Sequence, residues 1–190
     1  MRSRIVSSRS AGSAAWRAAV AVTQAGTERR PAPSGVRCAR MNARTRAGAA
    51  DILASFLGND AHYRDSAASY GDGGRPALER ALDLFLAHPE IGFVWLAHAA
   101  DEVVGACVVC YAISTARGTR VAKLDDVTIR AGRQGGGVGT MLIETLAAQL
   151  RPDGVTRNDT ACHRDNAGAW RFYERLGFRP LHEERIARLL

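Results

Sequence analysis

Residues 133–140, Arg133-Gln134-Gly135-Gly136-Gly137-Val138-Gly139-Thr140, have a composition suited to holding a phosphate group. Glycines there permit positive φ and let the backbone approach a ligand with no Cβ in the way. Apolar spacing predicts a helix directly after them, and its first turn presents unpaired N–H groups and the positive end of a dipole. Loop and helix end together make a pyrophosphate site, with Arg133 adding charge at its rim. The loop lacks the Gly-Lys-Ser/Thr ending of nucleotide-hydrolysing loops, so the lysine for terminal phosphates is missing. It also fails the G-x-G-x-x-G spacing of dinucleotide folds, because the position that a third glycine should fill is Thr140. The competing reading is a glycine-rich turn that holds no ligand.

A second motif favours the ligand. Gln134-x-x-Gly137-x-Gly139 resembles the Q/R-x-x-G-x-G/A acyl-CoA motif of the GNAT superfamily of N-acetyltransferases. Downstream, Asn166-x-x-Ala169-x-x-Phe172-Tyr173-Glu174-x-Leu176-Gly177-Phe178 is similar to that family's other signature. One helix and one strand separate the two, as in the family, and the resemblance runs from about Ala47 to the C-terminal end. The loop before Gly137 is about one residue longer than usual, which leaves the motif's first position open between Gln134 and Arg133.

The resemblance implies acetyl transfer from acetyl-CoA to an amine, with loop residues Arg133 to Thr140, Val138 included, around the diphosphate. It implies that main-chain groups of Val127, Thr128 and Ile129 bind the pantetheine arm, and that Asn166 contacts the cofactor as well as capping a helix. Acetyl transfer needs a neutral amine, yet an alkyl ammonium of pKa ~10.4 is protonated at pH 7, so a base is required. Asp125 and Asp126 lie on the strand entering the glycine loop. Strict alternation puts one on each face, so one of them can point at the cleft; Asp126 is preferred, and the competing reading makes both solvated strand-end acids. The departing thiolate needs a proton donor, and Tyr173 is the candidate, since a phenol of pKa ~10 remains protonated at neutral pH. Phe172, beside it, is the better core candidate of the two. Tyr63, Tyr70 and Trp95 are candidate acceptor contacts, although Trp95 reads as packing first. His98 and His163 read as structural, and no cluster of side chains has metal-ligand spacing.

These groups need a scaffold, and the hydrophobic periodicity supplies one. It predicts a strand over Val36–Met41, helices over Ala47–Leu57 and from Pro76 to His88, and strands at Gly92–Ala99 and Val103–Ile113 joined by a tight hairpin. A strand at Val121–Ile129, a helix at Thr140–Leu150, a strand at Val155–Cys162, a helix at Ala167–Leu176 and a last strand over Phe178–Leu190 follow. The segment His62–Gly74 reads as a loop. The fold class is α/β (α+β): the resemblance implies three layers, a mostly antiparallel mixed sheet with helices on both faces, and two central strands parting in a V.

Charge separates the chain into two parts. Residues 1–50 hold ten arginines against the single acid Glu28, whereas residues 51–190 hold 16 basic and 18 acidic side chains. The basicity belongs to the leading segment, so a nucleic-acid-binding core is not indicated. Residues 1–34 read as a basic, disordered extension and 35–190 as the acetyltransferase domain; the extension's Arg- and Ser-rich, acid-poor composition also fits a targeting peptide. No apolar run reaches the ~18–20 residues of a membrane span. The four cysteines read as reduced and structural, and Cys107-x-x-Cys110 falls on opposite faces of a strand, which predicts a reducing, cytoplasmic setting. The expected partners are acetyl-CoA and an amine acceptor, with no metal, no specific nucleic acid and no membrane; a homodimer is a habit of the family. The alternatives are an acyl-CoA-binding sensor without catalysis and an adaptor working through the basic tail.

Overall fold

The sheet is built by alternation. Along β2 (Gly92–Ala99), Phe93, Trp95 and Ala97 face one side while Val94 and Leu96 face the other, and all five are buried. A strand apolar on both faces must be covered on both, and it is. The computed structural model describes residues 33–64, 71 and 73–189. Its five-stranded sheet has the order β1 (Val36–Arg40), β2, β3 (Glu102–Ser114), β4 (Thr119–Ile129) and β5 (Asn158–Thr160). Neighbours are antiparallel except β4 and β5, which run parallel.

On one face lie α1 (Arg46–Asn59) and α2 (Gly74–Ala87), which bury Ile52, Leu53 and Leu82 against Val94, Leu96, Val103 and Ala106. On the other lies α3 (Val138–Leu150), whose Leu142, Ile143, Leu146 and Leu150 recur at helical spacing and meet Phe93, Trp95, Val109 and Leu124. Each such side chain contributes ~1.5–3 kcal/mol by leaving water. Three layers therefore follow from two independent apolar faces. The short α4 (Ala167–Arg175) carries the second motif. Among the described residues, no helix is long and apolar enough to cross a membrane.

Three expectations change. The strand over Val155–Cys162 shrinks to Asn158–Thr160, and the final strand over Phe178–Leu190 is absent: residues 179–189 are irregular and exposed. That segment carries the polar run His182-Glu183-Glu184-Arg185 and Pro180, so it lacks the period-2 apolar face that pairs a strand into a core. Thirdly, Asp125 and Asp126 do not alternate simply, because they form a β-bulge. Cys107 pairs with Val127 and Val109 with Leu124, so two residues of β4 stand opposite Val108 alone. The extra residue flips the parity of the strand. Ala122 and Leu124 face α3 before it, and Val127 and Ile129 face the same way after it. Cys107 and Cys110 do lie on opposite faces, and all four cysteines are free thiols. The expected extension falls, through residue 32, outside the described residues.

Candidate active site

The cleft begins where two strands stop pairing. The β4–β5 ladder ends at Leu124 opposite Thr160, yet β4 continues for the length of Asp125–Ile129. Thr160 Oγ1 donates to the Leu124 carbonyl at 3.0 Å, closing the last rung. Beyond it β5 gives β4 no partner, which is the splay that the sequence resemblance implied. The edge left open carries main-chain groups of Val127, Thr128 and Ile129, and an extended chain such as pantetheine can pair with such an edge.

At the far end of that edge lies the glycine loop. Gly135 and Gly137 have φ values of 74° and 87°, conformations that favour glycine. Gly137 is the N-cap of α3 and offers no side-chain bond to the helix, whose first turn holds no acid. The first N–H groups of α3 therefore have no capping side chain, the condition in which a helix N-terminus can accept an anion. The N-terminus of α4 differs, because there Asn166 Oδ1 accepts from the Ala169 amide at 2.9 Å. Gln134 turns inward and donates to the Ile129 carbonyl at 3.2 Å, tying the loop to the end of β4. Arg133 and Arg130 both pair with Glu102, at 3.4 and 3.1 Å, so the rim charge is partly balanced. Beside the loop, a cavity of about 340 Å³ is lined by Val36, Ala99, Val104, Arg133, Gln134 and Gly136 among others.

Gly139 has another purpose. A Cβ there would come within 3.2 Å of the Phe172 ring, so this glycine lets the two sequence motifs touch. Replacing Gly137 tests the loop itself: Gly137→Ala must hold a left-handed conformation at ~1–2 kcal/mol, and acetyl-CoA affinity is expected to fall about tenfold. Titration calorimetry on the folded variant measures it, and unchanged affinity would remove the loop from the binding site.

Tyr173 is buried at the root of the splay, with Phe172 and Phe178 edge-on at 5.1 and 5.2 Å. The expected division of roles is reversed in burial, since Phe172 is the more exposed of the two. Burial pushes the Tyr173 phenol up to about 12, opposed by a side-chain hydrogen bond with Thr160. Asp126 is pushed up to about 6, by burial first and by the charge of Asp125 second, while Arg185 opposes. The two carboxylates are neighbours within the bulge, and the charge of Asp125 is felt at Asp126. The thiols move away from reactivity: burial raises Cys38, Cys107 and Cys162, and holds Cys110 at about 11.

The acceptor candidates fare unevenly. Trp95 is a core residue beneath α3, its Nε1 donating to Thr145 Oγ1 at 3.3 Å, and has no surface to offer an acceptor. Its fully apolar strand neighbours explain why packing claims it. Tyr63 is half-buried in a helical turn after α1, against the Phe56 ring at 5.7 Å. Tyr70 lies outside the described residues. His98 is buried at the end of β2, and burial holds its imidazole below the usual value. His163 stacks on His62 at 4.9 Å, joining the β5–α4 connection to the turn after α1. No group of three or more metal-ligating side chains occurs among the described residues. Sequence reasoning missed Thr160, Arg130 and Arg185. None sits in a motif: the β4–β5 pairing places Thr160, the β3–β4 pairing places Arg130 against Glu102 and Val103, and the path of residues 179–189 places Arg185.

Comparison with known proteins agrees with this geometry. The described fold is similar to a probable acetyltransferase (TM-score 0.65, 20% identity, 81% of this chain and 97% of that one). It is also similar to the ribosomal-protein-alanine N-acetyltransferase of Brucella melitensis biovar Abortus 2308 (TM-score 0.64, 17% identity, 82% and 99% covered). A transcriptional regulator from Bacillus halodurans C-125 is comparably alike (TM-score 0.66, 19% identity, 81% and 99% covered). No curated protein matches the chain by sequence. The family model described as the acetyltransferase (GNAT) family matches residues 59–178, which contain the glycine loop, the bulge and Tyr173. The chain therefore belongs to the acetyltransferase (GNAT) family, enzymes that take an acetyl group from acetyl-CoA.

Proposed function

We propose that this protein transfers the acetyl group of acetyl-CoA to a primary amine of a small molecule or peptide by direct attack, with both substrates bound together. The observation that carries this reading is the place of the splay. The β4–β5 ladder ends at Leu124 and Thr160, Thr160 is hydrogen-bonded to Tyr173, and Asp126 follows Leu124 along β4. An uncapped helix N-terminus suited to a diphosphate lies beyond the end of that strand. Acetyl-CoA, when bound, supplies an activated thioester carbonyl. An amide N–H of the open β4 edge donates to that carbonyl oxygen as charge gathers on it.

Asp126 takes a proton from the bound ammonium, directly or through one water, and so frees the attacking lone pair. As the new C–N bond forms and the C–S bond breaks, Tyr173 donates to the departing sulfur. A phenol held near 12 parts with its proton reluctantly to a thiolate whose acid has pKa ~8.5. Tyr173 therefore acts chiefly by hydrogen bonding the developing charge, and the second proton of the attacking nitrogen makes good any proton it transfers. An acyl-cysteine route is disfavoured because every thiol's pKa is raised.

The test is thiol release from acetyl-CoA with a panel of amines, with calorimetry for cofactor binding. Amine-dependent release is expected. Binding without release by any amine would instead favour a non-catalytic acyl-CoA sensor, and no binding by folded protein would end both readings.

A further inference from the structure

Residues 179–189 run past the bulge in β4. Arg185 approaches Asp125 in the bulge, with its Nη1 3.4 Å from Oδ1. The neighbouring Glu184 pairs with Arg164 of the β5–α4 connection at 2.7 Å. At the segment's far end, a Cβ on Gly71 would lie 3.5 Å from Leu189, so the segment reaches the connection between α1 and α2. It gains little from apolar burial: Leu181, Ile186 and Leu189 are all more than half exposed. Ion pairs at the surface hold it, and such pairs exchange partners at small cost.

An acceptor amine arrives at the Asp125–Asp126 pair as a cation and competes there with the guanidinium of Arg185. A purely cationic acceptor must push Arg185 aside and leave it close by with like charge. An acceptor that also carries an oxyanion exchanges both pairs at once, its ammonium going to the carboxylates and its anion to Arg185. Guanidinium is suited to that exchange, since its fork matches carboxylate and phosphate oxygens two at a time.

Resting on the acetyltransferase reading above, we propose that Arg185 is a specificity-determining residue that selects acceptors bearing a carboxylate or phosphate a few bonds from the reacting amine. The segment 179–189 presents it to the bulge, and Arg164 with Glu184 fixes its approach.

Matched pairs within the amine panel test this: β-alanine against propylamine, and phosphoethanolamine against ethanolamine, with wild-type protein, Arg185→Ala and Arg185→Lys. The quantity read is each variant's kcat/KM relative to wild type for each amine, in which intrinsic amine reactivity cancels. Arg185→Ala is expected to lower the value at least about tenfold for the oxyanion-bearing amines, the effect of losing a charge-assisted contact, and to leave or raise it for their partners. Arg185→Lys restores part of the loss. The arms separate carboxylate from phosphate as the preferred anion. A uniform loss, a uniform gain or no change across the pairs overturns the proposal. So does wild-type protein that acetylates amines without an oxyanion and spares those with one. Failure of acetyl transfer itself looks different, as no thiol release from any amine. The exposed position of Arg185 keeps folding out of the comparison, and a melting curve for each variant checks it.

Discussion

Tyr173→Phe is expected to lower kcat by about a hundredfold or more, the usual contribution of a preorganised donor to developing charge, while leaving the affinity for acetyl-CoA within a factor of about two. The substitution removes one oxygen from a ring that Phe172 and Phe178 pack against edge-on. The ring's packing survives, so a fall in turnover reports on the hydroxyl. The hydroxyl is buried, however, and Thr160 loses a hydrogen-bond partner with it. A stability cost of ~1 kcal/mol is therefore expected as well, and thermal melts will measure it. Thiol-release kinetics at saturating amine, set beside calorimetric binding, separate the two effects. Turnover equal to wild type would remove Tyr173 from the mechanism. A parallel loss of binding would assign it to holding the cofactor.

Asp126→Asn carries the second large effect, and its two readouts move in opposite directions. Asp126 must be ionised to accept a proton, and burial beside Asp125 raises it to about 6. In wild-type protein kcat/KM is expected to climb with pH through about 6. In Asp126→Asn that limb disappears and the rate falls by roughly a hundredfold. A surviving limb near the same pH would transfer the role to Asp125. Stability runs the other way. A carboxyl whose native pKa lies above its unfolded value binds more protons folded than unfolded, so stability declines as pH rises from ordinary carboxylate values to about 6. Keeping that carboxylate charged at pH 7 costs the fold on the order of 2–3 kcal/mol. Asn cannot ionise. Asp126→Asn is therefore expected to be more stable than wild type at neutral pH, with the advantage shrinking as pH falls through the window and gone below it. Denaturant midpoints at neutral and mildly acidic pH will read it.

Tyr173 and Asp126 could both be named as candidates from the sequence alone. Tyr173 lies in a run, Asn166 to Phe178, whose residue types recur at fixed spacing, and Gly139 betrays the partner it packs on only when Phe172 is seen against it. The glycine loop was readable because positive φ and an uncapped helix start are local properties. The strands and helices of the core were readable because burial on two faces writes alternation and helical spacing directly into the chain.

The bulge at Asp125–Asp126 was not readable. Its cause is the register between β3 and β4, which depends on residues some twenty positions away. The last strand is missing for a local reason, since Pro180 and the polar run His182 to Arg185 leave that segment no apolar face to pair into the sheet. Trp95, which the sequence read as packing first, lies in the core beneath α3. Local patterns thus named a candidate phosphate-binding loop and candidate proton-moving groups. Tertiary structure alone decided where β4 and β5 separate and that Arg185 meets Asp125, because both depend on pairing between distant segments that no local pattern encodes.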